Sequence, residues 1–236
     1  MASARTVEGF LPSVNGFRFT NHFPPAPTVR IDLGPVGTVG LGNASQGVCG
    51  GMAFAVRDYF EADLPIPQLD TPPAEGTKLF NYVTARLIDS FNGVDGVATY
   101  IRWMWLPSAD VHLIIGSQSG TFSRTVSSTW PAVRADIDAN HPSPLGLVTV
   151  HTSDIRQVGK CHQVLAYGYR VDDDKKVTLQ IYDPNTDHDS ADDVWISFSA
   201  ANAHKVSTID HNVNIAESTL HGFFRSAYAA KKPPQL

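Results

Sequence analysis

Four side chains stand out in this sequence for their reactivity: Cys49, His162 and, a strand further on, Asp183 and Asn185. Cys49 is one of 2 cysteines and stands in "QGVCGGM", directly ahead of an apolar helical stripe. A thiol in the first turn of a helix meets unpaired N–H groups and the positive end of the helix dipole, which favour thiolate over thiol. The thiolate is the attacking species in acyl transfer. Gly50 and Gly51 are expected to leave room beside the sulfur for a substrate backbone. Gln46 offers a side-chain amide that would help the Cys49 N–H hold an oxyanion. A lone cysteine is more often a small buried thiol than a nucleophile, so the assignment rests on its partners.

The partners come from one expected hairpin. "HQVLAYGYRV" and "KVTLQIYDP" alternate like strands, and the polar "DDDK" from Asp172 to Lys175 lies between them. With those residues as the loop, Val171 faces Lys176, Gln163 faces Pro184 and His162 faces Asn185. Asp183 is then a diagonal neighbour of His162, within reach of a side-chain contact. It also ends the apolar face of Val177, Leu179 and Ile181, where a carboxylate needs hydrogen-bond partners. An imidazole N–H is a suitable one, and the pairing would fix the ring tautomer and stabilise an imidazolium. Asp183 is the expected orienting residue for His162, with Asn185 the alternative. Cys161, adjacent in sequence, points to the other strand face and reads as structural.

The elements that must position these groups change character along the chain. Residues 1–45 are rich in Gly, Pro and Asn and read as an extended arm with short β-like pieces, "VNGFRFTNHF" and "TVRIDLG". Residues 46–142 carry helical stripes from Cys49 to about Glu61, from Thr77 to Phe91, in "VATYIRWMWLP" and in "SSTWPAVRADIDANHP". Residues 143–230 hold short β-rich runs, "PLGLVTVH", the two hairpin strands, "DVWISFS" and "LHGFFRSAYAA". Residues 231–236, "KKPPQL", read as a frayed tail. Helices followed by an antiparallel sheet define the α+β class, here as a single domain of two packed lobes.

Composition narrows the functions. A chain of 236 residues with 42% hydrophobic and 17% charged content buries a sizeable core. A formal net charge of -5 and no dense basic patch argue against nucleic acid as a partner. No apolar run is long enough to span a membrane, and the first residues lack a secretory apolar stretch. These features imply the cytoplasm, or export by a route that leaves no such signal. Two cysteines make no zinc site of the paired-cysteine type. "DPNTDHDSADD" resembles the first half of a calcium loop, but His188 stands at its sixth position and Val194 at its twelfth. A solvated acidic loop is the better reading. Trp103 and Trp105 are expected to serve packing rather than a ligand cage.

Gln46, Cys49 at a helix start, then "HQVLAYGY" and an Asp/Asn-bearing strand together resemble the papain-like cysteine peptidase superfamily, in particular the branch that includes the leader-cleaving peptidases of bacteriocin exporters. The resemblance covers Asn43 to Phe60 and Gly159 to Asn185. It implies a helical lobe carrying the cysteine, a sheet lobe carrying His and Asp, and a Cys49–His162–Asp183 triad with Gln46 at the oxyanion. It further implies hydrolysis of peptide or isopeptide bonds through a thioester, on a peptide or protein substrate, without metal or organic cofactor. Deamidation or acyl transfer by the same triad is an alternative, as is a catalytically inactive papain-like binding module. In papain the glutamine stands further from the nucleophile, so alignment from Gln46 would place Met52 at the nucleophile position. Cys49 is preferred because it, and not Met52, precedes the helical stripe. Substrate preference and oligomeric state have no signature in the sequence.

Overall fold

The computed structural model of the chain describes residues 2–23, 29–32, 38–41, 48–91, 94–112 and 116–235. Its strands are β1 (Ser3–Thr6), β2 (Val29–Asp32), β3 (Thr38–Leu41), β4 (Val111–His112), β5 (Ser117–Gln118), β6 (Ser143–Val148), β7 (His162–Val171), β8 (Lys176–Tyr182), β9 (Trp195–Ser199), β10 (Asp210–His211) and β11 (Gly222–Arg225). Its α-helices are α1 (Pro12–Asn15), α2 (Cys49–Glu61), α3 (Lys78–Ser90), α4 (Val94–Trp105), α5 (Thr121–Arg124) and α6 (Trp130–Asp138). The α+β expectation holds. An antiparallel sheet of 7 strands runs β10-β9-β8-β7-β6-β11, with β1 also on β7. Along one edge of β7, β6 pairs with residues from His162 to Ala166 and β1 with residues from Gly168 to Val171.

Strand β7 is the spine. Its first eight residues are buried, whereas β8 alternates along its length, with Val177, Leu179 and Ile181 buried and Lys176 and Gln180 exposed. The period of two therefore holds where one sheet face meets solvent and vanishes where both faces are covered. Helix α2 lies beside β7: Gly50 meets Gln163, and Phe60 reaches Tyr167 through Phe10, with ring centroids 5.1 and 5.3 Å apart. On another part of the sheet Trp130 of α6 packs edge-on to Tyr169 at 5.2 Å. Helix α6 has Pro131 in its first turn, as its sequence pattern suggests, and is preceded directly by α5 and a π turn at Thr125–Thr129. That wider turn comes just ahead of Pro131, whose ring cannot pack against an ordinary helical turn.

Two readings of the chain ends are corrected. Of the β-like pieces read in the N-terminal arm, "TVRIDLG" carries β2, and the first 23 residues are tied into the core: β1 joins the sheet, and Phe10, Phe17, Phe19 and Phe23 are buried. "VNGFRFTNHF" contains no strand among these residues and acts through its aromatic rings, Phe17 stacking on Phe19 at 4.8 Å and meeting Tyr59 of α2 edge-on at 6.4 Å. The tail is not frayed either. Asp58 and Arg86, each 1% exposed, form an ion pair between α2 and α3. Burying such a pair is costly unless its remaining hydrogen-bonding groups are satisfied. The C-terminal segment satisfies them: Tyr228 Oη and the Lys231 N–H donate to Asp58 at 2.7 and 3.0 Å, and Arg86 donates to the Ala229 carbonyl at 3.0 Å. Among the described residues no helix is long and apolar enough to cross a membrane.

Candidate active site

The hairpin delivers Asp183 to His162 as its sequence implies, though by a different register. The turn is one residue tighter in pairing: Val171 faces Val177, the Asp172 N–H reaches the Lys176 carbonyl at 2.9 Å, and Lys175 takes a left-handed φ of 66°. This is a three-residue loop closed by a left-handed residue. A bulge between Ala166 and Gly168 then shifts the ladder back, so that Leu165 faces Tyr182 as expected. The two departures cancel at the end that carries the chemistry. His162 Nε2 lies 2.7 Å from Asp183 Oδ1, both groups buried.

Asp183 is held from all sides. Oδ1 also accepts the Asn185 N–H at 3.0 Å, and Oδ2 accepts Thr186 Oγ1 and the Asn214 N–H, each at 2.8 Å. Burial pushes this carboxyl up, but the His162 charge and these donors outweigh it and hold the group below its ordinary range. The second imidazole nitrogen, Nδ1, is left for Cys49, to which His162 is hydrogen-bonded. Burial disfavours the imidazolium, yet the charges of Cys49 and Asp183 push His162 up to about 10. Tyr100 Oη fixes the backbone beneath the ring by donating to the His162 carbonyl at 3.2 Å.

Cys49 is the first residue of α2 and keeps partial exposure. Burial of its sulfur pushes the thiol up. The His162 charge and hydrogen bond, together with the Gln163 and Gly50 N–H groups, overcome this and hold it below its ordinary value. Cys161 shows the contrast: with no imidazole beside it and only the Thr149 backbone to oppose burial, it is pushed up to about 12. Met52 is fully buried in the core, so Cys49, not Met52, is the residue that meets His162.

Other expected members fall elsewhere. Gln46 lies outside the described residues. The Asn185 side chain does not reach the imidazole; it accepts from Asn21 at 3.1 Å and donates to the Asn214 carbonyl at 3.0 Å. The two glycines act in packing, not in clearing space for a substrate. A Cβ on Gly50 would lie 2.7 Å from the Gln163 amide, and one on Gly51 would overlap the Val83 carbonyl of α3. They are small because α2 must sit this close to β7 and α3. The acidic stretch after Asp183 is partly structural, since Asp192 accepts both the N–H and the Oγ of Ser13, at 2.8 and 2.6 Å. Trp103 packs on Phe224 at 5.6 Å, while Trp105 is 53% exposed.

Thr186, Asn214, Asn21 and Tyr100 were not legible as members of this network. Thr186 had a local signal, a hydroxyl three residues after an Asp in a turn, whose N–H bonds the Asp183 carbonyl at 3.1 Å. The other three arrive from distant parts of the chain. Comparison with protein-family models, with curated proteins and with solved structures returned no match.

Proposed function

We propose that the chain is a cysteine-dependent hydrolase of amide bonds, peptide or isopeptide, working through a thioester. The observation that carries this reading is a buried imidazole placed between a thiol at a helix start and a fully hydrogen-bonded carboxylate. The Cys49 thiolate adds to the carbonyl carbon, and the Cys49 N–H at the start of α2 stabilises the oxyanion. His162 gives its Nδ1 proton to the leaving amine as the C–N bond breaks, leaving the acyl group on sulfur. The neutral ring then takes a proton from water, whose oxygen attacks the thioester; collapse releases the acid and restores the thiolate and imidazolium. The order of a cysteine helix followed by His and Asp on an antiparallel sheet supports a papain-like reading of the chain. A peptide or protein substrate is part of this proposal.

Iodoacetamide alkylation across pH tests the reading. Cys49 is expected to react well below pH 7 and faster than Cys161, and His162→Ala is expected to abolish the low-pH reactivity. A Cys49 that stays unreactive in the folded protein at every pH would overturn the proposal in favour of a binding module. A peptide panel read by mass then separates cleavage from deamidation.

A further inference from the structure

Asn21 sits between the two halves of the site. It lies outside every catalytic element, in the N-terminal segment between the buried anchors Phe19 and Phe23. Its own N–H donates to the Pro184 carbonyl at 2.9 Å, its Nδ2 donates to Asn185 Oδ1 at 3.1 Å, and its Oδ1 accepts the Val48 N–H at 2.6 Å. Pro184 and Asn185 directly follow Asp183, and the Asn185 N–H is one of the donors on the Asp183 carboxylate. Val48 directly precedes Cys49 and is the N-cap residue of α2. One side chain therefore ties the turn that presents the carboxylate to the backbone that presents the thiol.

We propose that Asn21 is a positioning residue for the thiolate–imidazolium pair, holding Cys49 at the distance from His162 that the Asp183 turn defines. This rests on the reading of Cys49 and His162 as a reactive pair. The physical case has three parts. Val48 is buried, and its N–H precedes the helical ladder, so it needs an acceptor from outside α2. An asparagine supplies that acceptor and a donor on the same planar group, which a carboxylate or a hydroxyl cannot do in this geometry. The flanking phenylalanines remove most of the freedom that the side chain would otherwise lose on making both bonds. The arrangement also commits the Val48 N–H to Asn21.

The test compares the pH dependence of Cys49 alkylation in the wild type, Asn21→Ala, His162→Ala and Ser13→Ala, with urea unfolding of each. Ser13→Ala is the structural control, because it loosens the same N-terminal segment at Asp192 without touching the site. Asn21→Ala is expected to move the alkylation midpoint up by about one unit, slowing reaction below the midpoint about tenfold. Ser13→Ala is expected to leave the midpoint unmoved, and Asn21→Asp, which keeps the acceptor for Val48, to recover part of the stability but not the Asn185 bond. An unmoved midpoint in Asn21→Ala, or an equal shift in Ser13→Ala, overturns the positioning role while a shifted His162→Ala leaves the reactive pair standing. If neither His162→Ala nor Asn21→Ala moves it, the reactive pair fails and the positioning role with it.

Discussion

Asp183→Asn is the substitution that most directly probes how the site is held. Asparagine has one acceptor oxygen and one NH2 group where Asp183 has two acceptors. With the oxygen kept at the Oδ1 position, His162 Nε2 and the Asn185 N–H retain their acceptor. The NH2 then faces Thr186 Oγ1, which can turn to accept, and the Asn214 N–H, which cannot. One buried N–H is left against another, at a cost of about 1–3 kcal/mol. The bond to His162 also loses the charge of the carboxylate, worth about 1 kcal/mol more. The opposite amide orientation is worse, because NH2 would face both His162 and the Asn185 N–H. The expected loss is about 2–4 kcal/mol at neutral pH.

Urea unfolding reads that loss directly. The Asp183 carboxyl is held below its ordinary value in the folded chain, so its stabilisation is full above the unfolded value of about 3.9 and lost as pH falls through the folded one. The gap between wild type and Asp183→Asn should therefore narrow on acidification below pH about 4. Without the anion behind it the imidazolium is less stable, and the Cys49 alkylation midpoint should rise by about one unit. Asn185→Ala should move that midpoint less, because its side chain touches neither Cys49 nor His162 and acts on the site at second hand, through Asn21 and Asn214. The reasoning is refuted if Asp183→Asn unfolds within about 0.5 kcal/mol of wild type, or if Asn185→Ala shifts the thiol more than Asp183→Asn does.

Two further outcomes test the frame around the site. Gly51→Ala puts a methyl against the Val83 carbonyl, and prying α2 from α3 should cost about 1–3 kcal/mol in urea unfolding; wild-type stability would contradict the close helix packing. Arg86→Met strands the buried Asp58 carboxylate and should cost about 3–5 kcal/mol. Adding Asp58→Asn should return part of that loss, and a double variant no more stable than Arg86→Met would refute the charge explanation.

Much of this architecture was legible because it is local. The stripe from Cys49 to Glu61 matches α2, and the β-rich runs after Pro144 match β6 to β9 and β11, since periodicity reports burial directly. The His162–Asp183 contact was legible for the same reason: hairpin neighbours are close in sequence. From sequence alone the contact follows from an unbulged ladder and a four-residue loop. Neither holds, and the contact survives because a bulge at one end compensates a tighter turn at the other. Nothing in a single sequence distinguishes those two routes. Gly50 and Gly51 were misread for a related reason: a glycine signals close approach, but the approaching partner, here Gln163 or the Val83 carbonyl, comes from a separate element. Asn21, Asn214 and the C-terminal segment were missed because their partners lie far along the chain, and only the folded core brings them together.

Helix α2 carries two buried charge clusters, and their difference bears on which of them can do chemistry. At its C-terminal half Asp58 meets Arg86 with further donors around it, each charge is answered, and both side chains are 1% exposed or less. Such a pair is locked by its surrounding donors and carries no nucleophile. At the N-terminus the groups favour one another's charged forms: Cys49 and Asp183 are held below their ordinary values and His162 between them is held above its own. Asp183 is saturated by four donors and so resists taking a proton. Any proton that leaves or reaches His162 must therefore pass on its Cys49 side, and Cys49 is the member of the chain that retains exposure. The fold thus confines proton transfer to the Cys49 edge of the imidazole, which is the edge that the proposed acyl transfer would use.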